Sequence, residues 1–350
     1  MRADDVAAAG RLPGWRRASP SYIQVNGVAD TILITGATGF VGRRLIEVLR
    51  QDGNSSIRAA TRADGATLPT GVEVLAGFNV AKRQLLPEAV DGVDCIVHLA
   101  ARVHVRGRID DPERRRYDET NVNGTVALAE AAAKAGVRRF VFISTIAVNG
   151  SATESGHAFT EASPRLPRQP YAFSKSAAEK GLDALTRTTS MEVVTIRPPL
   201  VYGPGVKGNF RTMMDWIARD IPLPFGSITG NRRTLVALDN LVELIRICLR
   251  HPAAANQVFL VGDDEDLSTA DLLRRLSVAM GHKARLVPFP KAMLNLAMRA
   301  VGMESKATRL LYSLQVDSTK AHTLLGWRPV IDVDEGLRRA AVPYRETTGR

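Results

Sequence analysis

Thr31-Ile-Leu-Ile-Thr-Gly36-Ala-Thr-Gly39-Phe-Val-Gly42 is the stretch on which the fold turns. A short apolar run ends in three glycines spaced three apart. A pattern with Val41, Leu45, Val48 and Leu49 on one helical face follows, with Gly53 just past its end. This reads as strand, glycine turn and helix. Glycines at this junction permit a tight turn, close approach of backbone to a pyrophosphate and close helix–strand packing, while the helix N-terminus faces the anion. Plain turn chemistry is the competing reading of a glycine triplet taken alone. Its setting between a buried strand and an amphipathic helix points to dinucleotide binding, with Gly36, Thr38, Gly39, Phe40, Val41 and Gly42 as the cofactor loop.

Outward from this loop, apolar runs alternate with helical patterns. The runs are 31–35, 57–61, 72–75, 95–99, 140–144, 193–197 and 258–261, and several are apolar at consecutive positions, as in strands buried on both faces. Helices are expected at Val41–Arg50, Asn121–Ala135 and Tyr171–Arg187. The sum is an α/β fold with a doubly wound parallel sheet and a smaller, mostly helical C-terminal lobe. Residues 198–235 are rich in Gly and Pro and read as loops around a binding mouth. Asn240–Leu249 and Val258–Val261 return to the sheet, Asp239-Asn240 reads as a helix cap, and Ser268-Thr-Ala-Asp271 reads as a helix start. The expected division is a non-core extension at 1–29, a nucleotide-binding domain at 30–200 plus about 236–262, and a substrate lobe from 201–235 and 263–345.

Composition bounds the function. The 350 residues are 45% hydrophobic and 24% charged, enough for a large core and unlike a disordered tail, coiled coil or disulfide scaffold. Lys+Arg 47 against Asp+Glu 36 gives a formal charge of +11, which points to a polyanionic partner: nucleic acid, a membrane surface or a phosphorylated small molecule. The two cysteines, with Cys95 inside an apolar run, fit core packing and a reducing, cytoplasmic setting. No membrane span is expected, since the nearest apolar stretch, Ala292 to Val301, is broken by Asn295 and Arg299. The first 30 residues carry Arg2, Arg11, Arg16 and Arg17 with no apolar h-region, and read as an extension or an upstream start. The arginine-rich run from Arg102 to Arg116 lacks interleaved aromatics, so nucleic acid is not expected. His98 and His104 have no partner at ligand spacing, so no metal is expected.

Two further patterns carry chemistry. The second strand ends in Thr61-Arg62-Ala63-Asp64 with no acid at its terminus. An acid there would suit a ribose 2′-hydroxyl, whereas Arg62 suits a 2′-phosphate, which favours NADP(H) and leaves NAD(H) open. A solvated Arg62 with Asp64 turned inward is the competing reading. Tyr171 and Lys175 stand four residues apart on one helical face, 26 residues beyond Thr145 at a strand end. A nearby ammonium favours the phenolate, so Tyr171 becomes a credible acid/base, and Ser144-Thr145 offers a hydroxyl to a reacting oxygen.

In order along about 300 residues, Gly36–Gly42, His98-Leu-Ala-Ala101, Asn121-Val-Asn-Gly-Thr125, Ser144-Thr145, Tyr171–Lys175, Arg197-Pro198 and Val201-Tyr-Gly-Pro204 resemble an extended short-chain dehydrogenase/reductase of the nucleotide-sugar epimerase/dehydratase branch. The resemblance implies a Rossmann-like sheet, Thr145 as hydroxyl partner, Tyr171 as acid/base and Lys175 as its tuner and a ribose contact. It places Leu99, Ala100 and Ala101 along the cofactor, Asn121 behind the site and Pro198 near the nicotinamide. By the same likeness Asn209, Phe210, Phe225 and Arg232 contact a nucleotide-sugar substrate. Loop packing for Phe210 and Phe225, and a plain surface charge for Arg232, compete with those roles. Family habit further implies a homodimer through the helices at Asn121 and Tyr171.

Dehydratases of this branch carry Asp-Glu after the Thr, whereas this chain has Ile146-Ala147, so elimination lacks its acid and base. Ala147 also stands where double epimerases carry a Cys. Hydride transfer at C4 of a UDP-sugar remains. That means a 4-epimerase of the UDP-glucose/UDP-GlcNAc type serving surface polysaccharide, or an NADPH-dependent reductase of a 4-keto-6-deoxy sugar. A non-catalytic NADP-binding sensor is the reading from another class, weakened by the survival of Thr145, Tyr171 and Lys175.

Overall fold

The computed structural model describes residues 30–82, 86–103, 110–154 and 156–345. The extension at 1–29 and His104 therefore lie outside the described residues. The chain runs β1 (Asp30–Thr35), α1 (Phe40–Asp52), β2 (Ser55–Ala60), β3 (Glu73–Leu75), α2 (Leu86–Val90), β4 (Cys95–His98), α3 (Asp111–Tyr117), α4 (Gly124–Lys134), β5 (Arg139–Ile143), α5 (Pro170–Leu185) and β6 (Glu192–Arg197). It continues through β7 (Leu200–Tyr202), α6 (Gly208–Ala218), β8 (Arg233–Ala237), α7 (Leu238–Arg250), β9 (Val258–Leu260), β10 (Asp266–Leu267) and α8 (Thr269–Met280). It closes with α9 (Lys291–Ala300), α10 (Glu304–Leu311), α11 (Thr319–Leu325), α12 (Val333–Ala340) and α13 (Val342–Arg345).

Seven strands form one parallel sheet in the order β3-β2-β1-β4-β5-β6-β9. Each of the seven apolar runs supplies one of them, because strands covered on both faces, as the inner strands are, need apolar residues at nearly every position, while the edge strand β3 is largely exposed. β4 is buried throughout, and Leu33 and Ile34 of β1 are fully covered. One face packs on α1 and α7 with Trp327, and the other on α2, α4 and α5. Full burial of each such Leu or Ile contributes about 1.5–3 kcal/mol. The sheet is Rossmann-like, and the strand order reverses between β1 and β4, the crevice where ligands bind in such sheets.

Beyond β6 the pattern changes. β10, β8 and β7 make a small sheet, and α6, α8, α9, α10 and α12 enclose a second core around Tyr202, Phe210, Leu276 and Leu337. The Gly- and Pro-rich 198–235 stretch is therefore not all loop. It contains β7, all of α6 and the start of β8, because Phe210, Met213, Met214 and Ile217 at helical spacing bury one face of α6. A buried carboxylate ties this region to the sheet. Asp263, just after β9, accepts from the Tyr202 hydroxyl (2.7 Å), the Ala237 amide and Asn240 Nδ2 (2.7 Å). Asp239-Asn240 is thus no helix cap. Ala237 is the N-cap of α7, Asp239 accepts from Arg44 and Arg339, and Asn240 serves Asp263 and the backbone at 330–331. Ser268 does cap α8, accepting from the Asp271 amide.

Candidate active site

The glycine loop is built by exclusion. Gly36 has φ +69°, and a Cβ there would lie 2.8 Å from the Ala100 nitrogen. A Cβ on Gly42 would lie 2.4 Å from the Gly36 carbonyl oxygen, and one on Gly39 2.9 Å from the same atom. The loop therefore presses on Leu99-Ala100 at the end of β4, and the Gly39 amide closes the turn onto the Gly36 carbonyl at 2.9 Å. No side chain caps α1 at Gly39 and no acid occupies its first turn. Its first amides are left for an anion. These features fit the pyrophosphate of a dinucleotide.

Behind the loop, the Thr35 hydroxyl meets His98 Nδ1 (2.7 Å) and His98 Nε2 meets the Thr125 hydroxyl (3.0 Å). Burial holds His98 down to about 3, helped by Lys175, so the ring is neutral and serves as a structural bridge. At the outer edge Arg62 is exposed, and Arg43 bonds the carbonyls of Thr38 and Thr67, tying the glycine loop to the chain beyond β2.

Asn121 lies in a π-helical turn, Asp118–Asn123, between α3 and α4. The helix expected to begin at Asn121 is therefore part of a longer helical run from Asp111, widened at its middle. Buried Asn121 accepts from the Arg102 amide and donates to the Arg102 carbonyl and to Ser174 Oγ (2.9 Å), which donates to the Tyr171 carbonyl. The π turn thus aims a side chain at the backbone of the turn that carries Tyr171.

Lys175 is buried and donates to the Ile143 carbonyl at 2.7 Å, with its ammonium 4.2 Å from the centre of the Phe142 ring. This joins α5 to the end of β5, two residues from Thr145. Thr145 caps the short 3-10 turn Ile146–Val148, and the Ile146 amide donates to the Pro198 carbonyl (3.0 Å), so Thr145 and Pro198 share one edge. Burial pulls Lys175 down to about 7, opposed by Glu179. The half-buried Tyr171 phenol is pushed up by desolvation and by Tyr117, whose ring lies 6.5 Å away. The expected lowering of Tyr171 by Lys175 is absent in the ligand-free site: the phenol keeps its proton, and the ammonium is engaged by a carbonyl.

One side chain behind this pair went unread in the sequence. Glu179, one helical turn past Lys175 and fully buried, accepts from Ser144 Oγ (2.5 Å) and from Arg197 Nε (3.0 Å) and Nη2 (2.7 Å), and pairs with Arg165 at 2.8 Å. Arg197 also reaches Asn149. The cluster fastens α5 to the ends of β5 and β6, holding the helix that carries Tyr171 and Lys175. Its sequence signal was Glu179 at i+4 from Lys175, too common a spacing to single out.

The expected substrate contacts separate. Asn209 is exposed at the start of α6, but Phe210 is fully buried and stacked on Tyr202, and Phe225 is buried in the same core. Their side chains pack the lobe, so the structure corrects any expectation that their rings face a ligand. Arg232 is exposed, and its guanidinium bonds the carbonyls of Thr229 and Asn231 in its own loop. Its neighbour differs. Arg233 donates to the Tyr312 carbonyl, and burial together with nearby Arg309 pushes it down to about 10. Arg309 is exposed on α10, and its guanidinium donates to Gln169, two residues before Tyr171. Among the described residues neither makes an ion pair. The half-buried Arg233 and the exposed Arg309 thus stand near each other ahead of Tyr171 without a carboxylate partner, a pairing that spacing alone did not reveal.

Residues 32–262 match the NAD dependent epimerase/dehydratase family, and the chain belongs to that family. It is 42% identical over 328 residues to a UDP-glucose 4-epimerase of Vibrio cholerae, covering 91% of this chain and 97% of that protein. Its fold is shared with the Thermotoga maritima UDP-glucose 4-epimerase solved with UDP-glucose (TM-score 0.73, 22% identity, 91% and 100% coverage). It is likewise shared with the Thermus thermophilus UDP-glucose 4-epimerase solved with NAD (TM-score 0.72, 23% identity, 90% and 99% coverage). Among the described residues no helix is long and apolar enough to cross a membrane.

Proposed function

We propose that this protein interconverts the C4 epimers of a UDP-hexose, UDP-glucose and its N-acetylamino counterpart first, using NAD(H) as a resident cofactor. The 42% identity to a UDP-glucose 4-epimerase over nearly both full lengths carries this reading. It is supported by a site that keeps Thr145, Tyr171 and Lys175 and has Ile146-Ala147 where elimination would need carboxylates.

The nicotinamide, when bound, supplies the hydride acceptor and donor at C4. The chain's own residues do the rest. The first amides of α1 and the bare Gly36–Gly42 backbone hold the pyrophosphate of the cofactor. Arg233 and Arg309 take the substrate diphosphate, regaining in that contact the charge partner they lack. Thr145 Oγ1 holds the C4 oxygen, and Tyr171 Oη removes and later returns its proton. Lys175, an ammonium below about pH 7 in the ligand-free site, offsets the phenolate charge.

The expectation of NADP(H) from Arg62 finds no support in the family's description or in the NAD held by the T. thermophilus relative. An exposed Arg62 with no acid at the strand end is nevertheless the observation that would suit an NADPH-dependent reductase. Purified protein given UDP-glucose, UDP-GlcNAc and a UDP-4-keto-6-deoxy sugar, with and without NADPH, separates the readings. Turnover without added reductant is expected. Stoichiometric loss of NADPH would make it a reductase, and binding without turnover of any of the three would make it a sensor.

A further inference from the structure

Apart from Arg309, the positive charges of residues 282–312 and the apolar stretch Ala292–Val301 find no use in the site described above, and they coincide in one place. Residues 282–312 carry Lys283, Arg285, Lys291, Arg299, Lys306 and Arg309 against Glu304 alone, five of the chain's eleven net positive charges. The helices in this segment, α9 and α10, are mounted on the outside of the lobe.

Successive helical residues turn by about 100°, so α9 divides into three arcs. Leu294 and Met298 face the lobe core and are buried. Lys291, Asn295 and Arg299 form a polar stripe beside α10: Lys291 lies over the Tyr312 ring at 4.7 Å, Asn295 donates to the Tyr312 hydroxyl, and Arg299 pairs with Glu304. The remaining arc is apolar and faces outward. Met293 is 57% exposed and Leu296 70%, with Val301 at 65% and Met303 at 37% on the turn into α10. A surface helix normally turns such residues inward. Here the inward arc is the narrow one, and more apolar surface faces out than in.

We infer that the outer face of α9 and the turn into α10 docks on an anionic lipid surface. Charge complementarity selects that occupant. An apolar ridge edged by lysine and arginine is how a helix lies in the headgroup layer, the apolar side chains entering the acyl boundary and the cations staying with phosphates. A second copy of the chain meeting this face about a twofold axis would set the same cations against each other. The docked face also adjoins the substrate lip, because Arg309 of α10 bonds Gln169 ahead of Tyr171. Docking therefore brings the site mouth close to the bilayer without a membrane span.

The test uses the full-length protein and vesicles of phosphatidylcholine with and without phosphatidylglycerol. Co-sedimentation is expected only with phosphatidylglycerol. The combined substitution Met293→Ser, Leu296→Ser and Val301→Ser is expected to weaken it about tenfold or more with net charge unchanged. Lys291→Glu with Lys306→Glu is expected to abolish it, and the serine variant is expected to keep its thermal transition and its turnover of a soluble UDP-sugar. Wild-type protein remaining in the supernatant would overturn the inference. So would equal binding by the serine variant, which means adsorption of a cationic protein, or dissociation of an oligomer on the serine substitutions, which means that a second copy covers the face.

Discussion

The Gly36–Gly42 loop and the Glu179 cluster both stand at the carboxyl ends of the parallel strands, yet they are held by opposite means. The loop works by lacking side chains: a single Cβ on Gly42 would reach within 2.4 Å of a backbone oxygen. The cluster works by crowding them, with one buried carboxylate taking two guanidiniums and a hydroxyl from three other segments. The first is a local rule written in consecutive residues. The second is a tertiary agreement between residues 144, 165, 179 and 197, and no window of sequence contains it.

The largest effect expected from disturbing either region falls on the cluster. Glu179→Leu strands the buried Arg197, while Arg165 keeps its pair with Asp183, and should cost about 3–5 kcal/mol in urea unfolding. Glu179→Gln, which keeps an acceptor, should cost clearly less. If the two substitutions cost the same, the charge is not what holds α5.

The loop is next. Gly42→Ala should cost about 1–3 kcal/mol and weaken NAD binding measured by calorimetry. Gly53→Ala, at φ 67° with open space around it, should cost about 1–2 kcal/mol from left-handed backbone strain alone and leave NAD affinity intact. Equal effects on NAD affinity would remove the steric account of the loop.

A pH experiment sharpens the electrostatic side. Unfolded lysine holds its proton to about pH 10.4, while buried Lys175 loses it near 7. Between those values the unfolded chain binds more protons, so the contribution of Lys175 to stability must rise with pH. Relative to Lys175→Met, the wild-type ligand-free protein should gain about 3 kcal/mol between pH 6 and 9, and a flat difference would mean that Lys175 titrates normally.

The smallest effect tests the lip. Arg309→Ala should raise KM for the UDP-sugar about tenfold with kcat little changed, and should leave the ligand-free melting temperature level, since the exposed guanidinium holds no carboxylate. Arg232→Ala should change KM less than about twofold. The reverse ranking would return the diphosphate to Arg232.

The same contrast explains what the sequence disclosed. Seven apolar runs became the seven strands of the large sheet, and for the inner strands this is because burial on both faces leaves a continuous apolar signature. Gly36, Gly39 and Gly42 were legible because backbone geometry demands glycine there. The helix α6 was hidden under Gly and Pro on either side of it, although Phe210, Met213, Met214 and Ile217 carried its period. The π turn at Asn121 was not legible at all, since the bonds its Asn121 makes run to Arg102 and Ser174 in other segments. Arg232 and Arg233 are adjacent in sequence, and only the packing of Tyr312 and Arg309 decides which of the two is desolvated.

In the proposed reaction Tyr171 transfers the C4 hydroxyl proton within a redox-neutral epimerisation. Its most direct test is to follow UDP-galactose formed from UDP-glucose by the purified enzyme with no added reductant, beside Tyr171→Phe. Wild type should approach an epimer mixture, and the variant should turn over about 10²–10⁴-fold more slowly with NAD affinity unchanged. Near-full turnover by Tyr171→Phe, or no interconversion by the wild type, would contradict it.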